Sequence, residues 1–205
     1  MNFLRNHWFD IGGILAILNI IALLIFHTQL TSFEILLWIS LISLFVHQVE
    51  EYRYPGYFPG MVNTVLFKST QPERYPLNTS SAFIINVILG WGVYAAAIFV
   101  NNNAIWFTMI PIIVSLGNFM AHTTLFNIKG KTFYNPGMLT SIFLFLPIVI
   151  YYFYYVSSSN LAETSDYIIG IILGIILNYV GIIKVINWMK NKNTPYVFQP
   201  RQAKP

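Results

Sequence analysis

Residues 81–100 read SAFIINVILGWGVYAAAIFV and contain no charged side chain. A helix of about 20 mostly apolar residues crosses the hydrocarbon core of a bilayer. The chain is 56% hydrophobic and 9% charged, whereas soluble domains carry about 25% charged residues. Five further apolar runs follow the same pattern, at 11–27, 33–51, 104–126, 137–156 and 166–189. The sequence therefore predicts an all-α fold, a polytopic transmembrane bundle of six helices in one domain covering residues 1–205.

The positions of the basic residues predict how this bundle is oriented. All 11 Lys and Arg residues lie before the first run, in the second and fourth connections, or at and beyond the end of the last run. Because cytoplasmic loops are enriched in Lys and Arg, we predict that the N-terminus and the C-terminus are both cytoplasmic. Residues 193–205 are polar and are expected to form a flexible cytoplasmic tail. The net charge of +4 reports this orientation rather than nucleic-acid binding.

Other features of the sequence indicate the protein's surroundings. The first run is followed by residues 26–29, Phe-His-Thr-Gln, which lack a small-residue cleavage site, so we interpret the run as a retained helix. The many Ile and Asn residues favour a bacterial cytoplasmic membrane. Gly170 and Gly174 have the spacing of a close helix contact, which is compatible with a homo-oligomer. The absence of Cys removes disulfides and thiolate chemistry.

The second run carries three ionisable residues near its predicted cytoplasmic end. His47 precedes Glu50 and Glu51 by three and four residues, so the three side chains share one helix face. Ionisable groups in membrane helices indicate function by default, because burying them in lipid is costly. An imidazole with two carboxylates can bind a divalent metal or transfer protons. The simpler alternative is a solvated helix end with an intrahelical ion pair.

Two further polar motifs are predicted to reach the same end of the bundle. Asn118 and His122 share a face near the cytoplasmic end of the fourth run. Residues 134–137, Tyr-Asn-Pro-Gly, precede the fifth run. Taken alone, Asn118 is typical of an interhelical hydrogen bond, and the Tyr-Asn-Pro-Gly stretch is typical of a helix start. Their convergence with His47 favours a functional site.

The order and spacing of these motifs carry a resemblance to a known family. The motifs are His47-x-x-Glu50-Glu51, Asn118-x-x-x-His122 and Tyr134-x-Pro136-Gly137. Together they resemble the three motifs that define the HXXEE-motif family of membrane proteins, over about residues 40–140. The chain departs from that family at Phe119, where Ala is usual. The family is of unknown function, and its polar residues imply an enzymatic role.

A metal site follows from this set of residues as a hypothesis. His47, His122 and one of the two glutamates, Glu50 or Glu51, would bind a divalent metal and leave one position open for water. The other glutamate would be a general base or would orient a ligand. Two His and a carboxylate suit zinc, iron and manganese alike.

The same polar residues predict a class of reaction and leave two alternative functions open. Asn118 and Tyr134 would donate hydrogen bonds to a developing oxyanion. We expect hydrolysis or group transfer on an amphiphile, such as a lipid or a lipidated substrate, that enters from the cytoplasmic leaflet. One alternative is a small proton- or cation-coupled transporter, although the polar groups cluster at one leaflet and the halves show no repeat. Another is a non-catalytic membrane partner protein.

Overall fold

The computed structural model describes residues 2–204, which are mostly helical and contain no strand. Within this range, six helices are long and apolar enough to cross a membrane. They are α1 Asn2–Gln29, α2 Ser32–Tyr52, α3 Thr79–Asn103, α4 Ile105–Gly130, α5 Met138–Ser158 and α6 Thr164–Met189. The predicted all-α fold with six candidate spans is confirmed, and α2 to α6 begin and end within a few residues of the predicted runs.

The start of α1 differs from the prediction. The helix begins at Asn2 instead of residue 11. Trp8 and Phe9, which lie in the added turns, are each 2% exposed and pack their rings against Tyr52. The apolar run missed these turns because the polar residues Arg5, Asn6, His7 and Asp10 flank the aromatic pair and interrupt the apolar pattern.

Capping boxes begin three of the six candidate spans. In each box the side chain of the residue before the helix accepts a hydrogen bond from the backbone N–H three residues later. The side chain of that later residue accepts from the backbone N–H of the first. Both bonds satisfy backbone N–H groups for which lipid offers no partner. The pairs are Thr31 with Glu34 before α2, Asn78 with Ser81 before α3 and Glu163 with Asp166 before α6.

Helix α6 packs closely on α4 at two glycines. A Cβ built at Gly170 would meet Met109 and a backbone oxygen, and one built at Gly174 would meet the side chain of Ile113. The amide of Asn178 then donates to the Ile113 carbonyl at 3.1 Å. The close helix contact expected from the Gly170 and Gly174 spacing is therefore made within the chain.

The basic residues gather at one end of the bundle. Arg53 Nε lies 3.2 Å from Asp10 Oδ1, which joins the end of α2 to α1. Arg5 covers the ring of Tyr196 at 4.2 Å. The opposite end carries acidic groups, such as Glu34, which accepts from Asn101. This segregation agrees with the six-helix arrangement that the charge pattern predicted.

Two segments outside the six helices cover the basic end of the bundle. After α2 the chain forms a short helix, Phe58–Met61, and a π-helical turn, Val62–Leu66, with Met61 and Val62 buried. The segment after α6, for which a flexible tail is predicted, packs against this end and contains the short helix Pro200–Ala203. Thr194, Phe198 and Gln202 are at most 4% exposed in that segment.

Candidate metal centre

Three buried ionisable side chains converge between α2 and α4. Glu51 Oε1 lies 3.5 Å from His47 Nε2 and 3.3 Å from His122 Nε2. One ligand atom from each residue lies within 4.8 Å of the others. The three residues are 4%, 2% and 0% exposed, in the order Glu51, His47, His122. This group could hold a metal ion, and it unites three of the residues that the motifs singled out.

Both imidazoles direct their Nε2 atoms at this point, and neither atom makes a hydrogen bond within the described residues. Among residues 2–204, neither His47 Nε2 nor His122 Nε2 has a hydrogen-bond partner, although Glu51 lies at ion-pair distance. Buried polar atoms are almost always paired, so two unpaired nitrogens at one point require an explanation. A metal ion between them and the carboxylate would satisfy all three groups.

The orientation of His47 is fixed by a relay to α5. Its Nδ1 donates to Thr140 Oγ1 at 2.8 Å, and that hydroxyl donates to Glu50 Oε2 at 2.6 Å. With the proton on Nδ1, the lone pair of Nε2 faces Glu51. Metal-binding histidines are commonly oriented by such a bond from the second ring nitrogen.

Glu50 therefore lies beside the centre and not in it. Besides Thr140 Oγ1, its carboxylate accepts from the backbone N–H groups of Leu139 and Thr140 at 3.2 and 2.9 Å. The Tyr134 hydroxyl donates to it at 3.0 Å. Of the two glutamates left open by the sequence, Glu51 belongs to the group that could hold a metal ion, whereas Glu50 bonds to the hydroxyl that contacts His47.

The Tyr-Asn-Pro-Gly stretch orients the second histidine. Asn135, which is fully buried, accepts from His122 Nδ1 at 2.6 Å and donates to the His122 carbonyl at 2.7 Å. An amide oxygen only accepts, so Nδ1 carries a proton and Nε2 is the ring nitrogen directed at Glu51. Sequence reasoning missed Asn135 and Thr140. The place of Asn135 inside the motif was a signal that could have found it, whereas nothing in the sequence marks Thr140.

Gly137 explains the last position of the same motif. Its φ is +100°, and a Cβ there would fall onto the imidazole of His122. Only glycine combines this backbone conformation with so close an approach. The apolar walls of the centre are aromatic: Phe58 packs on His122 at 4.7 Å between ring centroids, and Phe145 packs on His47 at 4.5 Å.

The two remaining predicted residues occupy different positions. Asn118 lies one turn from His122 on the wall of a cavity of about 220 Å³ between α2, α3, α4 and α6, and its amide donates to the Val114 carbonyl at 3.0 Å. Tyr134 is directed at Glu50. Burial, and next the Glu50 carboxylate, raise the pKa of the Tyr134 hydroxyl, so it remains a neutral donor.

Comparison with known proteins adds a family to this description. The profile of a family described as "protein of unknown function with HXXEE motif" matches residues 38–152. No curated protein and no solved structure matches the chain. The matched range covers more than half of the 205 residues and includes all three motifs and every residue of the metal centre. The chain therefore belongs to the HXXEE-motif family.

Proposed function

We propose that this protein is a metal-dependent membrane enzyme that hydrolyses or transfers a group on a membrane-embedded amphiphile. The supporting observation is the convergence of two unpaired Nε2 atoms, from His47 and His122, on the Glu51 carboxylate. Both Nε2 atoms lie 3.3–3.5 Å from the same carboxylate oxygen, so the three residues present their ligand atoms to one point. Catalytic zinc sites with two His and one Glu keep a further position for water.

A bound metal ion would supply the chemistry of this site, and the surrounding aromatic rings would keep water out of it. A bound divalent ion would lower the pKa of a water molecule and polarise a carbonyl or phosphoryl group. Zinc, iron and manganese all accept this set of ligands. The aromatic rings of Phe58 and Phe145 exclude bulk water, which strengthens the electrostatic interactions of the centre.

The surrounding residues would position these groups. Glu50 holds His47 through Thr140, and Asn135 holds His122, so both imidazoles are oriented before substrate binds. Asn118 lies on the cavity wall, where its amide would bond to a polar group of the substrate. Tyr134 acts through Glu50, because its hydroxyl is directed at that carboxylate.

The location of the centre indicates which leaflet supplies the substrate. The centre lies at the end of α2 that is followed by Arg53, the end where the basic residues gather. With that end facing the cytoplasm, as the positive-inside bias predicts, the substrate would come from the cytoplasmic leaflet. The proposed setting is the cytoplasmic membrane of a bacterium.

Metal content tests this proposal most directly. The protein would be purified in detergent, supplemented with zinc, iron or manganese, desalted and analysed for bound metal. We expect near-stoichiometric metal in the wild type and its loss in His47→Ala, His122→Ala and Glu51→Gln. His27→Ala is the matched control, because His27 is exposed and bonds only to the Leu24 carbonyl. Equal metal in the wild type and in the first two variants, or none in any protein, would contradict the proposal.

A further inference from the structure

The cavity beside the metal centre is built from entire helix faces. It lies between α2, α3, α4 and α6 and has a volume of about 220 Å³. The lining residues recur every four positions, which places them on one side of each helix. On the two lining helices that carry no residue of the candidate metal centre, they are Ile85, Leu89 and Val93 of α3 and Asn178, Ile182 and Ile186 of α6.

The lining is mostly apolar, with the amides of Gln48, Asn86, Asn118 and Asn178 among the apolar side chains and the carboxylate and imidazoles of the candidate metal centre at one end. Glu51 and His122 lie at one end, and Leu44, Val93 and Val114 line the part nearer the middle of the helices. Two helical turns separate Glu51 from Leu44, which is about 10 Å along the axis of α2. A ligand that fills this space is expected to be largely apolar, with its most polar group at the end beside Glu51 and His122.

The polar end of the cavity is covered on the basic side of the bundle. Phe58 packs its ring on His122 at 4.7 Å, and Val62 is 5% exposed beside it. Both residues belong to the short helical segment that follows α2, and both line the cavity. The metal centre is therefore reached through the cavity more readily than from the basic end.

Helices α3 and α6 leave their facing sides loosely packed. No side chain is buried in the π-helical stretch Ile84–Trp91 of α3, and only Gly181 is buried in the π-helical stretch Leu177–Lys184 of α6. A Cβ built at Gly181 would lie 3.4 Å from Leu89 Cδ1, so the two helices meet there over a glycine. The seam between α3 and α6 is therefore formed by few buried side chains.

The size of the cavity limits the ligand. Pockets for drug-sized ligands measure about 300–1,000 Å³, so a volume of about 220 Å³ suits one apolar chain and excludes two. We propose that the cavity binds the single acyl or isoprenyl chain of a lipid, with the polar linkage of that lipid at His47, Glu51 and His122. The inference rests on the proposed function and adds the class of substrate to it.

Photolabelling tests where the chain binds. The probe is palmitic acid with a diazirine near the chain end, added to the detergent-purified, zinc-supplemented protein, with and without excess palmitate. We expect labelling of peptides from the facing stretches of α3 and α6 that palmitate competes away. Leu89→Trp, which fills the cavity, should lose this competed labelling severalfold. Ile88→Trp is the matched control, because Ile88 is the next residue and is 57% exposed on the outer surface of α3.

Two further measurements separate the inference from the metal hypothesis. The first is the metal content of every labelled sample. The second uses Val93→Phe, a substitution that adds less volume to the same cavity than Leu89→Trp. Competed labelling that both filling variants reduce supports the chain site, even where no metal is found. Labelling that palmitate does not compete, or that persists unchanged in the folded filling variants, overturns it, even where metal is stoichiometric.

Discussion

At the scale of single residues, each histidine of the centre has one nitrogen committed to the protein and one left free. His47 Nδ1 is held by Thr140, and His122 Nδ1 is held by Asn135. This arrangement selects the tautomer that presents a lone pair from Nε2 to Glu51. The two holding residues do not contact Glu51 themselves, so their contribution is to affinity and geometry, and it can be tested separately from the ligands.

Thr140→Val tests the relay between Glu50 and His47. Valine preserves the shape of the side chain but removes the hydroxyl that accepts from His47 Nδ1 and donates to Glu50. Loss of such an orienting group typically weakens metal binding by about 10–100-fold. The expected result is a weakening of this size, measured by competition for zinc with a chelator of known affinity.

The conservative replacement supplies the control for this prediction. Thr140→Ser keeps the hydroxyl and should bind zinc almost as tightly as the wild type. Equal affinities in Thr140→Val and Thr140→Ser would show that the hydroxyl plays no part in orienting His47, and the relay would then be a packing contact only.

Gly137→Ala tests the close approach of the chain to His122. The added methyl group would fall on the imidazole, and the φ of +100° is strained for alanine. We expect loss of bound metal and a lower melting temperature in detergent. Gly92→Ala is the control, because a Cβ at Gly92 meets nothing within 4 Å. If Gly137→Ala retained full metal and unchanged melting, the steric account of this motif position would be wrong.

At the scale of helices, the sequence predicted the features that depend on the pattern of neighbouring residues. The six candidate spans follow from apolar length, and the shared face of His47 and Glu51 follows from their spacing of four residues. The start of α1 and the roles of Thr140 and Asn135 depend on packing between distant segments. Nothing in the residues near Thr140 indicates that α5 lies beside α2, so its role could not be predicted.

The segment after α6 gives a prediction at this scale. Phe198 is 4% exposed and its N–H donates to the Glu73 carbonyl at 2.8 Å, while the Gln202 amide donates to the Tyr52 carbonyl at 2.9 Å. These contacts predict that brief trypsin treatment leaves the bond after Arg201 largely intact. Phe198→Ala should expose it, because the substitution removes the buried ring that holds the segment.

The neighbouring residue provides the comparison for that experiment. Val197 is 36% exposed, so Val197→Ala should be cleaved as slowly as the wild type. Rapid and equal cleavage in all three proteins would instead support the flexible tail that the polar composition of residues 193–205 predicts.

At the scale of the whole molecule, charge and site are arranged along one axis. The basic residues and the metal centre lie toward one end of the bundle, and Glu34 and Asp166 lie at the other, where they bond to Asn101 and to the backbone of Trp106. Because six spans are an even number, the segment before α1 and the segment after α6 lie on the same side of the membrane. Membrane orientation therefore determines which leaflet can deliver a lipid to the centre.

Labelling of single cysteines tests that orientation, since the natural chain contains no Cys. Lys68 and the last turn of α4, with Lys129, lie at the basic end, whereas the last turn of α3, with Asn102, and the connection after α5, with Ser159, lie at the acidic end, and each of the four residues would be replaced by Cys. We expect a membrane-impermeant maleimide to label the second pair in intact spheroplasts and the first pair only in inside-out vesicles, because positively charged loops are retained in the cytoplasm. The reverse pattern would place the centre near the outer leaflet, and the substrate would then have to come from outside the cell. Labelling of one member of each pair from the same side would contradict six spans altogether.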